Sequence, residues 1–300
     1  MITELSILIP VYNDNATRLV SAVSRQAQSI DGLSYEIVVF DDGSTDEAVK
    51  AVNRGLEELP CVRIVEAIHH PCRSAMRNAM SREGRYAWRL MIDVRLTLVY
   101  DDFLLRYLSA DVPEGGAAVG GVCVDGGKQS GKLYSSNLRF RYEKFEQRHH
   151  SEEARVRRPY SSFRTTNFFF HHSVLERVAY DERIIGYGYE DVLLGKALEK
   201  AGIRVVHIDN PVAYTHFEDN RCYLSKLEEA LRTLREFASE LRGYSPLLAF
   251  VERLSRWHVQ WLFRNSFRLL GGMEYANLCG RRPKLWVLRL YKVGYFLSLR

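Results

Sequence analysis

The sequence has few cysteines, and they are badly placed for pairing. Cys61, Cys72, Cys123, Cys222 and Cys279 are the five in 300 residues. No two are spaced as CxxC and the odd total leaves one over, which excludes a disulfide framework and a zinc ribbon and suits a reducing compartment. Long apolar runs are also missing, so no segment is expected to span a bilayer. The opening "MITELSILIPVYN" has neither a basic n-region nor a small-residue cleavage site, and it reads as a first strand rather than a secretory signal. Internal repeats and low-complexity tracts are absent. What is present is a hydrophobic content of 46%, enough for a sizeable core and against a disordered or fibrous chain.

Acidic residues are scarce in one region. From Arg253 to Arg300 ten Lys or Arg stand against Glu274, a local balance of +9 that leaves the remainder at −4 of the overall +5. The same region carries "RWHVQWLFRNSFRLL" and "KLWVLRLYKVGYFLSLR". Basic and aromatic residues mixed in this way favour an anionic membrane surface or another polyanion. Nucleic acid is not expected as a partner. A helical annex with solvated basic groups is the alternative.

Apolar runs and helical spacings alternate along the first part of the chain. "LSILIPVY" and "YEIVVFDD" read as strands around a helix from Thr17 to Ile30. A helix at Thr45 to Glu58, a strand at "VRIVEA", a helix at Arg73 to Arg82 and a strand at "WRLMID" continue the pattern of a parallel α/β sheet. "GAAVGGVCV" reads as one further strand, residues 125–165 as polar and loop-rich, and "TNFFFHH" as a strand. A helix ends near Lys200 with Gly202 as its stop, "RVVHID" and "AYTHF" follow as strands, and only helices are expected from Arg221 onward.

Asp41 and Asp42 fall at the carboxyl end of a strand, where the crevice of an open α/β sheet receives its ligand. Carboxylates there need donors, and an imide N–H or ribose hydroxyls would serve. Ser44, Thr45 and Asp46 are expected to make the turn and cap the next helix.

The stretches "LSILIPVYN", "VVFDDGSTDE", "RSAMRNAM", "MIDVR", "TTNFFF" and "YDERIIGYGYEDVLLGKALEKAG", taken in order, resemble family 2 glycosyltransferases of the GT-A fold over roughly Leu5 to Phe217. The resemblance implies an inverting transferase that passes a sugar from a nucleotide sugar, usually a UDP sugar, to an acceptor hydroxyl. It places Pro10 and Tyr12 in the nucleotide-binding loop, Asp42 with Asp41 at the uracil, and Arg77 and Asn78 near base and diphosphate. Asp93 matches the first acid of the DxD motif, and Asn167 a position facing donor or acceptor sugar, with a strand-edge amide as its alternative. It also implies Mg2+ or Mn2+, but Arg95 stands where the second acid belongs, and a guanidinium repels a cation and binds phosphate instead. Three outcomes stand open: Arg95 neutralises the diphosphate, Asp93 and His216 hold a metal between them, or Arg95 turns to solvent and turnover is weak or lost.

In "GYGYED" the glycines permit a backbone that a Cβ would obstruct. Acidic residues also suit a first helical turn. On the resemblance, Asp191 is the base that removes the acceptor proton and Glu190 orients acceptor or donor.

Other features carry less. "GGKQSGKL" follows most of a P-loop, but Leu133 replaces the Mg2+-binding hydroxyl and "YSSNLRF" reads poorly as a helix. The pairs His69–His70, His149–His150 and His171–His172 lack metal-ligand spacing and read as surface or packing residues.

The expectation is therefore an α/β GT-A domain over 1–217, Rossmann-like and predominantly parallel, with a helical basic and aromatic extension over 218–300. The extension would clamp the acceptor, pack as an annex, or rest peripherally on the inner membrane face near a lipid-linked acceptor. The expected partners are a UDP sugar and a glycan or lipid-linked acceptor, in the cytoplasm. The competing reading is a non-catalytic nucleotide-sugar or glycan-binding protein.

Overall fold

The computed structural model of the chain describes residues 1–124 and 130–299. Continuous apolar runs become the strands that are buried on both faces, as parallel strands must be. β1 (Glu4–Val11), β2 (Ser34–Asp41), β3 (Val62–Glu66) and β4 (Trp88–Ile92) are separated by α1 (Thr17–Gln28), α2 (Glu47–Arg54) with a 3-10 turn, and α3 (Arg73–Arg82). β1 lies between β2 and β4, parallel to both, and β3 extends the parallel set beyond β2. The order across the seven-stranded sheet is β3-β2-β1-β4-β8-β6-β9, with β8 (Asn167–His171) antiparallel to its neighbours β4 and β6 (Ala117–Val119), and β9 (Val205–His207) parallel to β6.

The period of two along these strands sorts side chains onto two faces. Ile7, Ile9, Ile37, Val39 and Phe169 meet α1 through Leu19, Val20 and Val23, and meet α4 (Phe103–Leu108) through Phe103 and Leu104. Leu8, Val38, Phe40, Phe168 and Phe170 face the other way, toward Met76 and Met80 of α3, Val174 of α8 (Ser173–Arg177), and Leu194 and Leu198 of α9 (Glu190–Lys200). Each such fully buried side chain contributes about 2 kcal/mol. The sheet is thus covered on both faces by helices, the expected α/β arrangement.

The single strand expected at "GAAVGGVCV" is two. β6 ends at Val119 and β7 (Val122–Val124) joins a separate three-stranded sheet of order β5-β10-β7, with β5 (Leu96–Leu98) and β10 (Val212–Tyr214) antiparallel. Gly120 and Gly121 make the break: a Cβ on Gly120 would lie 2.1 Å from the Asn210 carbonyl, and Gly121 has a φ of +85°, a conformation glycine adopts without strain.

The stretch read as loop-rich also holds helices: α5 (Ser130–Ser136), α6 (Leu138–Glu146) and α7 (Glu152–Val156). Asn137 caps α6 by accepting from the Phe140 N–H at 2.8 Å, and Ser151 caps α7. These caps start helices that propensity alone leaves marginal. In the P-loop-like "GGKQSGKL", Gly126 to Gln129 lie outside the described residues, and Leu133 falls within α5.

The chain divides into two compact units, and not at a single point. The first comprises Met1–Cys123, His149–Ile185 and Leu194–His216; the second gathers Val124–Arg148, Gly186–Leu193 and Phe217–Arg300. The second unit contains α10 (Asn220–Glu236), α11 (Pro246–Arg256), α12 (Gln260–Cys279) and α13 (Leu285–Ser298). Leu138 of α6 shares a core with Leu224 of α10, Leu278 of α12 and Leu288 of α13, which is why 124–148 belongs with the tail. Among the described residues no helix is long and apolar enough to cross a membrane.

Candidate active site

In the first unit, β1, β2, β3 and β4 run parallel, so their carboxyl ends open on one edge of the sheet and the loops that follow them collect there. Pro10 is half-buried near the end of β1, beside Phe40 in register, and Tyr12 follows it, exposed. Asn13 then takes a φ of 52°, a left-handed conformation that asparagine tolerates. Its side chain bridges to the loop after β2: Oδ1 accepts from the N–H groups of Thr45 at 2.8 Å and Asp46 at 2.9 Å, while its own N–H donates to Ser44 Oγ at 2.8 Å. Asp46 caps α2 through Ala48 and Val49, as expected. Asp14, next in sequence, receives Arg95 Nε at 2.8 and 2.9 Å.

Both carboxylates at the end of β2 are buried and already engaged. Asp41 Oδ1 accepts from the Ser44 N–H at 2.7 Å. Asp42 Oδ1 takes two donors from His70, the backbone N–H at 3.0 Å and Nδ1 at 2.5 Å, and Oδ2 lies 3.1 Å from His69 Nδ1. His69 Nδ1 also lies 2.8 Å from the Asp42 carbonyl oxygen. A carbonyl and a carboxylate only accept, so Nδ1 carries a proton in both rings. The His69 ring sits 5.0 Å from that of Tyr12. His69 and His70 are therefore neither metal ligands nor mere packing residues; they clasp Asp42.

Arg77, in α3, is buried and stretched between three partners. Nη1 donates to Thr165 Oγ1 at 2.7 Å and to the Thr165 carbonyl at 3.2 Å, and Nη2 donates to Asp93 Oδ1 at 3.0 Å. Asp93 lies just past β4, its own N–H on the Thr166 carbonyl at 3.2 Å, and its carboxylate remains partly open to solvent. The guanidinium of Arg77 spans Thr165 and that carboxylate with its two terminal nitrogens, a geometry a lysine could not reproduce.

Two residues expected near the ligand are committed elsewhere. Asn78 gives Nδ2 to the Tyr180 carbonyl at 3.0 Å and to Glu182 at 2.8 Å, and accepts the Tyr180 N–H at 2.9 Å, so it braces the 180–182 segment. Asn167 is 1% exposed. It opens β8, an interior strand, accepts from Tyr107 Oη at 2.7 Å and donates to the carbonyls of Asn210 at 2.8 Å and Gly121 at 3.1 Å. It is a fully satisfied structural amide, neither at a strand edge nor open to a sugar.

A divalent cation finds little here. Asp93 already shares an oxygen with Arg77, Arg95 is ion-paired to Asp14, and among the described residues no three His, Cys, Asp or Glu side chains group closely enough to hold a metal. His216 is exposed, two residues past β10. Tyr214 pairs with Leu96, so His216 and Arg95 leave the same end of that ladder. This donor set does not by itself make a metal centre, and the guanidinium held on Asp93 opposes a cation there.

Glu190 and Asp191 open α9 in the second unit, Glu190 buried and Asp191 half-buried. The loop before them is built against α10. A Cβ on Gly188, at φ +92°, would lie 2.8 Å from that of Ala230, and one on Gly186 would lie 2.9 Å from Thr233 Oγ1. Glu229 accepts the Tyr187 N–H at 2.9 Å, and Thr233 Oγ1 donates to the Tyr187 carbonyl at 3.2 Å. Tyr189 holds a φ of 70°, and burial pushes its hydroxyl up to about 12. A non-glycine residue held there costs on the order of 1 kcal/mol, which the packing around it must offset. Sequence reasoning did not reach Asn13, Asp14, His69, His70, Thr165, Glu229 or Thr233. Of these, Asn13 and Thr165 lie inside recognised motif stretches; the others carry no local signal.

A family model described as Glycosyl transferase family 2 matches residues 6–178. No curated protein was found to match the sequence. Among solved structures, the mannosyltransferase PcManGT from Pyrobaculum calidifontis, in complex with GDP-Man and Mn2+, is similar with a TM-score of 0.59 at 18% identity, over 98% of this chain and 84% of that one. S. aureus TarS 1–349 in complex with UDP-GlcNAc gives 0.52 at 14% identity, over 98% and 80%. At such identities the likeness concerns the fold, which is GT-A. The family match covers more than half of the chain, and its motifs are those gathered at the strand ends: the chain belongs to glycosyl transferase family 2 and is a glycosyltransferase.

Proposed function

We propose that the protein moves a hexosyl or N-acetylhexosaminyl group from a UDP sugar to a hydroxyl of a glycan or lipid-linked acceptor, with inversion at the anomeric carbon. The observation that carries this reading is the juxtaposition, at the ends of parallel strands, of an exposed Tyr12, a clasped Asp42 and the Arg77–Asp93 pair. Asp42 supports uracil in particular. Oδ1 already accepts twice from His70, which leaves room for the one imide N–H of uracil rather than the adjacent pair of donors on guanine. Arg95, half-exposed on the loop after Asp93, would turn from Asp14 to the leaving diphosphate, where its planar fork suits phosphate oxygens.

In the reaction the acceptor oxygen attacks the anomeric carbon as the bond to the diphosphate breaks, and UDP leaves. Asp191 is proposed to take the acceptor proton, with Glu190 orienting a substrate; the motif and the first-turn position support the assignment. The substitution of Arg95 for an acid and the poor metal fit also favour a second reading, a binding protein that has lost turnover.

Thermal shift with UDP, GDP and UDP sugars, each with and without Mn2+, tests the donor, because a ligand that prefers the folded chain raises its melting point. UDP should stabilise more than GDP, with little gain from Mn2+. Slow hydrolysis of a UDP sugar would separate enzyme from binding protein. Asp191→Asn should abolish transfer and leave the UDP shift intact; unchanged transfer would remove Asp191 as the base.

A further inference from the structure

We infer that α12 is an in-plane anchor that lays the second unit on an anionic lipid surface. The helix has two opposed faces. Gly271 and Leu278, seven residues apart, are buried against the rest of the unit. The opposite face carries Leu262, Leu269 and Met273, at spacings of seven and four residues that align them in one stripe, with Trp261 beside Leu262 at its margin. Leu269 is 82% exposed and Met273 71%. Nothing within the described unit covers them. Leaving so much large apolar surface in water along one helix marks an interaction face.

The charge beside the stripe names the occupant. Arg264 and Arg268 stand on the same helix, both exposed and outside the stripe, and the region from Arg253 onward has a balance of +9. The one acid there, Glu274, lies on the inner side of the helix, where burial raises its carboxyl above the usual range. Interfacial helices have this form, with apolar side chains sunk at the boundary of the acyl region and arginines among anionic headgroups. Pairing this stripe with that of a second copy would bring two strongly basic regions together, which like-charge repulsion opposes. Among the described residues no helix can cross the bilayer, so α12 lies on it. Trp257, just before the helix, is 72% exposed and adds an aromatic of the kind that settles at headgroup level.

The experiment uses the full chain with phosphatidylcholine vesicles, with and without a large fraction of phosphatidylglycerol, read by co-sedimentation and by tryptophan emission. Three of the four tryptophans, Trp257, Trp261 and Trp286, are exposed in this unit, so insertion should shift emission to the blue. Binding is expected with the anionic vesicles and should weaken as salt is raised. Trp261→Ser/Leu269→Ser/Met273→Ser should abolish it, and Arg264→Gln/Arg268→Gln should weaken it by about tenfold or more. The arginine variant leaves the apolar packing untouched, so it remains informative even if the triple variant unfolds. Failure of the folded chain to bind anionic vesicles, or binding unchanged in the arginine variant, would overturn the inference. So would a dimer by light scattering that the triple variant dissolves while no vesicle is bound, since a second copy would then cover the stripe. None of these outcomes depends on donor or turnover.

Discussion

At the scale of single residues, the side chains around the proposed donor seat are held by one another, and this makes single substitutions diagnostic. His70→Ala would free Asp42 Oδ1 from a 2.5 Å partner. Stability should fall by about 1–2 kcal/mol, and the preference for UDP over GDP should shrink, read as the difference between their thermal shifts. An undiminished preference would mean that His70 does not limit what Asp42 can accept. Arg77→Lys should cost more, about 2–3 kcal/mol, because one ammonium cannot span Thr165 and Asp93 together. Its denaturant midpoint and its UDP shift should both fall, the second because Asp93 is released from its fixed position.

At the scale of elements, the loop before α9 depends on glycine for its seat on α10. Gly188→Ala places a methyl 2.8 Å from Ala230 Cβ at a φ of +92°. The expected loss is roughly 2 kcal/mol. Turnover should fall with it while nucleotide shifts stay near normal. The strands most legible in the sequence are those whose physics is local. β1 and β2 announce themselves as unbroken apolar runs, and α3 matches its expected bounds of Arg73 to Arg82. What escaped was set by distant partners: β6 and β7 part because Gly120 meets the Asn210 carbonyl, and α6 buries only Leu138 and Phe140 through a polar-looking stretch. The site divides in the same way. Asp42, Arg77 and Asp93 sit in recognisable motifs, whereas the clasp of His69 and His70 on Asp42 follows from β3 lying beside β2, a register no composition reveals. Asn167 was within reach as a residue but its role was not, since its three partners come from α4, the Gly120–Gly121 break and the segment before β10.

At the scale of the molecule, acid should loosen the first unit through histidines buried without a proton to spare. His207, at the end of β9, donates Nε2–H to the Pro159 carbonyl at 2.8 Å and accepts from Arg155 at Nδ1, 3.2 Å away. Burial, with Arg155 adding to it, lowers its pKa to about 4, and His150 is likewise held down to about 3. Above about pH 6.5 both states of the chain are neutral at these rings. Below it the unfolded chain takes up protons that the folded one refuses, so stability is lost as pH falls toward 4, by about 1.4 kcal/mol per unit for a ring such as His207. Denaturant midpoints between pH 7 and 4.5 should show this decline, and His207→Gln should flatten it. Arg155, buried and donating to the carbonyls of Val119, Gly120 and Ile208, keeps its own charge throughout.

Two consecutive residues join parts of the first unit that are remote in sequence. Asn13 is stitched to Thr45 and Asp46, beside the residues proposed to read the base, and Asp14 is tied to Arg95, proposed to meet the phosphates. The two anchors are neighbours in the chain, joined by one peptide bond. A nucleoside that shifts the turn after β2 would tug the carboxylate off its arginine, so occupancy at one end of the donor would prime the charge waiting at the other.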